Sequence, residues 1–448
     1  MKKSLASLGT SRSISRRRML TTSGAAALTV AAGDWFTEGL FSSRRAIGQE
    51  SKNDRPRIGC IGTGGQGTYI GERAKNYGDI VAVCDVQRQH AERAKERFGG
   101  KADIYEDYNE LLKRSDIDAV TIGTPDHWHT APVLAALKAG KHIYCEKPLT
   151  LTIDEGKLIV AAVKESGKTF QVGTMQRTDM PQFARAVATA RSGQLGKILR
   201  VDVVLPGPAP AGGPYENKPV PDGLNWDRWL GQTPLVEYCT ERCHGSFRWW
   251  FEYSGGMMTD WGAHYVDIAH WALDCEESGP LAIDGSATKL PNIPNGYNTP
   301  TDYSVDMMYP HDVNVKITSG GDHGVLITGE KGRIFVDRGK ITGKPIEEQD
   351  ADEGLKSKIL DSATALFKGN TARMGDHMGN FFEAFLHGKH PVSDVVSQHR
   401  VVSACHLANI SIRLGRAINW DSAKEMITGD DEANTWLSRE QREGYRIG

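Results

Sequence analysis

The stretch "RIGCIGTGGQG", residues 57–67, runs from a short apolar segment into a loop of the form Gly62-x-Gly64-x-x-Gly67. Where a strand turns into a helix, each glycine of such a loop has its own use. The first permits a tight turn, the second lets backbone approach a pyrophosphate, and the third lets the helix pack on the strand. The helix that follows offers free N–H groups and positive potential to phosphates. A glycine turn without a ligand is the plainer alternative, and the surroundings argue against it. An apolar run precedes the loop, a helical stretch follows, and Asp85 closes the next apolar run, "IVAVCD", 18 residues beyond Gly67. A carboxylate there can accept hydrogen bonds from both hydroxyls of an adenosine ribose and repels a 2′-phosphate. NAD is therefore the expected cofactor, with Thr63, Gly65 and Gln66 completing the phosphate cradle. Arg88, close by, keeps NADP possible.

Working outward, "DAVTIGT", "HIYCE" and "FQVGT" are further short β-branched runs, separated by helical stretches such as "TAPVLAALKAG" and "IDEGKLIVAAVKESG". Continuous apolar strands alternating with helices imply a parallel sheet covered on both faces. This predicts an α/β fold whose N-terminal domain, residues 55–176, is a doubly wound Rossmann sheet. Beyond residue 177 the rhythm changes. A helix, "PQFARAVATARSG", leads to the strand "KILRVDVVL", and later runs "VNVKITS", "GVLITG" and "GRIFVD" have hairpin-like spacing. Residues 177–448 therefore read as an α+β domain with a large, mostly antiparallel sheet, closed by two helices. Between them "PGPAPAGGPYENKPVP", residues 206–221, is too rich in proline and glycine for regular structure and reads as a lid or a connector. Residues 343–373 read as an exposed insertion.

Two further stretches carry a family resemblance. "TPDHWHTAPVLAALKAGKHIYCEKPLT", residues 124–150, is similar to the T-P-x-x-x-H … A-L-x-A-G-K-H-x-x-x-E-K-P signature of the glucose–fructose oxidoreductase/inositol dehydrogenase/MocA family. "GGMMTDWGAHYVD", residues 255–267, resembles that family's G-G-x-x-x-D-x-G-x-H-x-x-D motif. The resemblance implies an NAD(P)-dependent oxidoreductase acting on a hydroxyl carbon of a sugar, polyol or glycoside. It places Thr124, Pro125, His129, Glu146 and Gln176 beside the cofactor, makes Lys147 the catalytic lysine, and makes Asp260 and His264 its catalytic partners. The Lys147–Pro148 bond resembles one often cis in relatives. Arg177, next to Gln176, and Trp249, in the aromatic run "FRWWFEY", are expected to touch substrate together with Lys147, Asp260 and His264, although core packing explains that run equally well.

These residue types suit the chemistry. A lysine can hold the substrate oxygen as charge develops on it, and a histidine titrates near neutrality and can take the hydroxyl proton. At 3.6 residues per turn, Asp260, His264 and Asp267 share one helix face. That face could instead bind a metal or satisfy a helix N-terminus, but no further ligands accompany it and no metal is expected.

The first 33 residues hold six basic residues and no acid, so the rest of the chain sits near −8 against −2 for the whole. An acidic body argues against a nucleic-acid partner. "SRRRML", residues 15–20, followed by a small apolar run, reads as a twin-arginine signal within residues 1–50. The run from Ala25 to Ala32 is too short for a membrane span. The protein is thus expected to be exported to the periplasm by the twin-arginine machinery, which carries folded cargo. A dinucleotide loaded before export and held tightly would then be regenerated on the enzyme. One bound cofactor could then oxidise one sugar and reduce another, or serve a glycosidase or lyase working through a transient keto-sugar; the non-enzyme alternative is a sugar-binding protein with a structural NAD. The glycosidase reading lacks its Y-P-T-H-G stretch. An open-faced antiparallel sheet suits pairing into a homo-oligomer. Of the seven cysteines, Cys239 and Cys243 beside His244 could form a local disulfide or part of a metal site.

Overall fold

The computed structural model describes residues 55–370 and 375–447. The twin-arginine reading therefore lies outside the described residues. The first sheet contains β1 (Arg57–Ile61), β2 (Asp79–Cys84), β3 (Asp103–Tyr105), β4 (Ala119–Ile122), β5 (His142–Cys145) and β6 (Phe170–Val172), in the order β3-β2-β1-β4-β5-β6 with every pair parallel. Each residue of β4 is buried, as two covered faces require. The strand order reverses between β1 and β4. The crevice at the carboxyl ends of those strands is where folds of this kind bind ligands. Local sequence explains the crossings. The helix Ile153–Ser166 starts at Thr152, whose hydroxyl accepts from Glu155 N, and stops at Gly167 with φ 61°.

The second sheet holds β7 (Ile198–Leu205), β8 (Ala282–Asp284), β9 (Ser304–Tyr309), β10 (Val313–Ser319), β11 (Gly324–Gly329), β12 (Gly332–Val336), β13 (Ile341–Thr342), β14 (Ile418–Asp421) and β15 (Met426–Ile427). Their order is β13-β12-β11-β7-β10-β9-β8-β14-β15, and only β7 and β10 pair parallel. Residues alternate strictly. Val201, Val203 and Leu205 of β7 and Val313, Val315 and Ile317 of β10 are buried, while Arg200, Asp202, Asn314 and Lys316 face outward. The inward face packs in one core with residues of the helices Pro181–Arg191, Gly262–Ala272 and Val395–Leu414.

Three features differ from the sequence reading. Residues 344–365 form two helices, Lys344–Ala351 and Glu353–Ala365, and Ile359, Ala363 and Phe367 enter the core. Arg185 of the helix Pro181–Arg191 donates to Gln349 Oε1 and Asp350 Oδ1. The segment is built into the domain because its apolar residues recur every fourth position. The helix His377–His387, late in the chain, covers the first sheet instead of the second: Met378, Phe381 and Phe382 pack with Ile58, Ile70 and Tyr144. All seven cysteines are buried free thiols, Cys239 and Cys243 included.

Candidate active site

The glycine loop has the geometry its residues imply. Gly62 has φ +75°, and a Cβ there would sit 2.6 Å from Thr124 N; a Cβ on Gly67 would sit 1.7 Å from Gly62 O. The helix Gly65–Ala74 begins at Gly64 with no side chain capping it, so its first N–H groups are open to an anion. Asp85 is fixed at the end of β2, accepting from Thr63 N at 2.8 Å and from Gln87 N at 2.8 Å. An uncapped helix start, a cradle that any side chain would fill and a pinned carboxylate together fit a dinucleotide. When bound, it supplies a hydride acceptor.

Gly62, Gly64, Gly65, Gln66 and Asp85 line one end of a cleft of about 970 Å³. Thr63 and Gly67 do not line it. The first is buried with its N–H holding Asp85, and the second packs the helix onto the loop. Thr124, Pro125, Glu146, Lys147, Asp260 and His264 line the same cleft.

Lys147 follows β5, and the Lys147–Pro148 peptide is cis. Its Nζ donates to Asp260 Oδ1 at 2.5 Å and to Asp260 O at 3.0 Å. Arg248 Nε lies 3.3 Å from Asp260 Oδ2. Burial alone would raise the Asp260 carboxyl. The Lys147 ammonium and the Arg248 guanidinium overcome this and hold it well below the usual carboxylate range. His264 stands one helical turn on. Burial, reinforced by the charges of Lys147 and Arg338, keeps its imidazole far below its ordinary value, hence neutral. Its buried Nδ1 has no hydrogen-bond partner among the described residues. Glu146 joins the glycine helix to the lysine. Its Oε1 accepts from Gln66 Nε2 at 3.0 Å and its Oε2 from Lys147 N at 3.3 Å, while burial pushes its carboxyl up.

The helical segment runs through Trp261, whose backbone is αR, but the three side chains expected on one face take different partners. Asp260 serves Lys147 and Arg248 and makes no hydrogen bond to the His264 ring. Asp267 turns away to Arg177.

Besides Thr63 and Gly67, four expected site residues lie off the cleft. His129 is buried, its Nδ1 2.7 Å from Pro148 O and its Nε2 3.0 Å from Thr124 O; its neutral ring donates to one of these cleft-lining segments and abuts the other. Gln176 is buried and its Oε1 accepts from Arg338 Nε at 3.0 Å. Arg177 is fully buried, with Asp267, Glu276 and Val392 O taking four of its five N–H donors; it does not line the cleft and is out of a substrate's reach. Trp249 packs against the core, whereas its neighbours Phe247 and Arg248 line the cleft. Trp250 and Tyr253 are buried as well.

Sequence reasoning passed over other residues. Asp126 lines the cleft, accepts from Ser254 Oγ at 2.5 Å, and is pushed up by burial to about 7. Arg248 sits inside "FRWWFEY", where the aromatic residues drew attention from it. No residue of the segment 206–221 lines the cleft. The walls come from further on, at Arg228, Trp229, His244 and Phe247, and from the C-terminal Gly444–Arg446.

Two family models match the chain. An oxidoreductase family with an NAD-binding Rossmann fold, Gfo/Idh/MocA, covers residues 56–174, and the C-terminal alpha/beta domain of that oxidoreductase family covers residues 213–447. Myo-inositol 2-dehydrogenase of Thermotoga maritima is 25% identical over 307 residues, 67% of this chain and 80% of that protein. Levoglucosan dehydrogenase, solved in complex with NADH, aligns with a TM-score of 0.58 at 18% identity, over 82% of this chain and 99% of that one. Aldose-aldose oxidoreductase from Caulobacter crescentus, complexed with glycerol, aligns with a TM-score of 0.56 at 18% identity and the same coverage. The two structures share the fold.

Proposed function

The chain belongs to the Gfo/Idh/MocA family of NAD-binding oxidoreductases, and from that premise we propose that it oxidises or reduces a hydroxyl-bearing carbon of a sugar, polyol or glycoside, with Lys147, Asp260 and His264 as its catalytic residues. One observation carries this reading: the glycine cradle, Lys147 and His264 line a single cleft. The relative named as an inositol dehydrogenase and the neighbours named as sugar oxidoreductases support the substrate class.

In the oxidative direction the substrate hydroxyl sits between Lys147 Nζ and the His264 ring. Lys147, aimed by Asp260, stabilises negative charge as it grows on the oxygen. His264, neutral in its buried setting, takes the hydroxyl proton while the carbon-bound hydrogen leaves as hydride. Asp260 stays ionised between two cations and keeps the lysine pointed. The direct test assays a panel of sugars and polyols by NADH absorbance. Wild type should turn over at least one, and Lys147→Met and His264→Gln should each lose most of that rate with NAD still bound. Unchanged turnover in either variant would remove that residue from the chemistry.

The cofactor is held tightly and the protein is exported. Residues Arg16 and Arg17 support export, and the C-terminal wall of the cleft supports retention. Denaturing the purified protein should release NAD(H) in near-stoichiometric amount. Changing both arginines to lysine should leave the protein in the cytoplasmic fraction. Retention also favours a redox-neutral cycle on one cofactor, which would give product with no net NADH change. Self-association through the outward face of the second sheet, which exposes Leu199 and Met308, completes the proposal. Sedimentation tests it, a monomer at working concentration speaking against it.

A further inference from the structure

Arg338 sits in the turn between β12 and β13, on the second-domain side of the cleft beside His264. The turn is firmly held. Asp337 Oδ1 accepts from Gly339 N at 2.6 Å and Lys340 N at 2.7 Å, and Gln182 Nε2 donates to the carbonyls of Asp337 and Arg338. The side chain is held too. Its Nε donates to Gln176 Oε1 at 3.0 Å, and the guanidinium lies 4.2 Å over the Trp261 ring. The two terminal NH₂ groups have no partner among the described residues, and no carboxylate lies within ion-pair distance.

An unpaired arginine at a surface means little, because water solvates it. This one is half-buried, and burial already pulls its guanidinium below the usual range. The nearby carboxylate is taken: Asp260 carries both Lys147 and Arg248. The substrate end of the cleft thus sets three fixed cations against Asp260, the carboxylate held strongly ionised, while burial raises Asp126 to about 7 and pushes Glu146 up. The free edge of a guanidinium matches two coplanar oxygens, the geometry of a carboxylate. A phosphate dianion would call for a second unpaired cation beside Arg338, and the two cations nearest the catalytic carboxylate, Lys147 and Arg248, both face Asp260.

We propose that the substrate is an acidic sugar, a uronic or aldonic acid or a glycoside of one, whose carboxylate is received by Arg338. The inference rests on the reading of this cleft as a sugar-oxidising site and narrows it. It has a consequence beyond affinity. The Arg338 charge is one of the influences that hold His264 far from protonation, and a bound carboxylate would cancel it. His264 then becomes a better proton acceptor when the right substrate is present, so the preference for acids should appear in kcat as well as in KM.

The test compares matched pairs, glucose with glucuronate and galactose with galacturonate, by kcat/KM in wild type, Arg338→Lys and Arg338→Gln holoprotein. Wild type should prefer the acid of at least one pair by about 10- to 100-fold, the range of a hydrogen bond to a charged group. In Arg338→Gln the acid-to-neutral ratio should fall by about that factor, with Arg338→Lys in between. A ratio that stays the same in Arg338→Gln, or a wild type that prefers every neutral sugar, overturns the proposal. NAD titration of Arg338→Gln separates a cofactor role: a loss of NAD affinity matching the loss of turnover would assign Arg338 to a phosphate of the cofactor instead. If wild type oxidises none of the four sugars and nothing in the wider panel of sugars, polyols and glycosides, the oxidoreductase reading of the cleft is what fails. Calorimetric binding of glucuronate to wild type but not to Arg338→Gln would then still uphold the carboxylate site, and no binding to either would reject it.

Discussion

Lys147 and Arg177 both reach from the end of the parallel sheet to a carboxylate on the helical segment 256–272, Lys147 to Asp260 and Arg177 to Asp267. The carboxylates are seven positions apart, and the chemistry of the two pairs is alike. Their surroundings are opposite. Arg177 and Asp267 are wholly inaccessible, at 0% side-chain exposure, and four of the five guanidinium donors are used. Arg177 bonds Asp267 through Nε and Nη2, Glu276 Oε1 at 2.8 Å and Val392 O at 2.8 Å, while Gln398 Nε2 donates to Asp267 at 2.9 Å. Lys147 and Asp260 keep 14% and 12% exposure, all of it toward a cleft. Lys147 makes two bonds from a group with three donors. A sealed pair can only hold the structure together. A pair with one valence open to a cleft can act on a substrate.

The most direct way to break this comparison is to delete one partner of the sealed pair. Arg177→Met leaves Asp267 buried without its cation, while Glu276 keeps Arg191 at 3.1 Å; a buried carboxylate stranded in this way costs about 3–5 kcal/mol. The urea midpoint should fall accordingly, and adding Asp267→Leu should restore part of it. An unchanged midpoint with lost turnover would return Arg177 to the chemistry. Lys147→Met is the counterpart. Asp260 keeps Arg248, so the loss of stability should be smaller than that of a buried carboxylate left with no cation. The hydride-transfer rate in single turnover should drop about 10³-fold, roughly 4 kcal/mol of barrier.

Much of this was legible in the sequence, and the failures have a common cause. The parallel sheet, the glycine loop and the trio Lys147, Asp260 and His264 were readable because each rests on a run with its own period or on a motif with its own spacing. His129 belongs to a motif, Gln176 and Arg177 follow the sixth strand, and Trp249 sits in an aromatic run; each is expected at the site from its place along the chain. Adjacency along a chain does not say which way a side chain turns. Arg248 faces the cleft and Trp249, the next residue, faces the core, within one 3₁₀ turn. The burial of residues 344–365 had a signal, Ile359, Ala363 and Phe367 at four-residue spacing, hidden in a polar composition. The walls given by Arg338 and the C-terminal tail had none, since they reach the cleft only through tertiary folding.

Acid sharpens the contrast next. His127, His270 and His406 are held down to about 3 and His129 to about 4 by burial, and His264 is pushed well down too. All are neutral in the folded protein, whereas the unfolded chain takes up their protons below about pH 6.5. The stability they contribute is therefore present above that pH and lost as pH falls. Asp126 and Glu155 oppose this. Burial raises each to about 7, so the folded state keeps protons that the unfolded chain releases above about pH 4. That penalty shrinks as pH falls. The histidines outnumber them, and the balance is a loss of about 3 kcal/mol between pH 6.5 and 5.5. The cleft pair takes no part, because Asp260 stays ionised throughout that interval. Urea midpoints across that range measure the loss. A flat profile would mean that these histidines are not neutral when folded.

A third pair extends the comparison to the solvent-facing limit and gives the smallest effect on stability. Asp227, 59% exposed, bonds Arg442 of the C-terminal tail and accepts from Tyr445 Oη at 2.7 Å. Arg442 Nε also donates to Gly231 O at 2.8 Å, and the Tyr445 ring meets the Trp128 ring edge-on at 6.0 Å. An exposed pair of this kind contributes about 0–1 kcal/mol, so Asp227→Ala should scarcely shift the urea midpoint. Its position matters more than its strength. It anchors the tail whose Gly444, Tyr445 and Arg446 form one wall of the cofactor cleft. Freeing that wall should speed NAD release several-fold in a stopped-flow chase, since an affinity change in a series of related variants falls mainly on the dissociation rate. If release is as slow in Asp227→Ala as in wild type, the tail is only packing, and cofactor retention has to be sought in the glycine cradle and Asp85 alone.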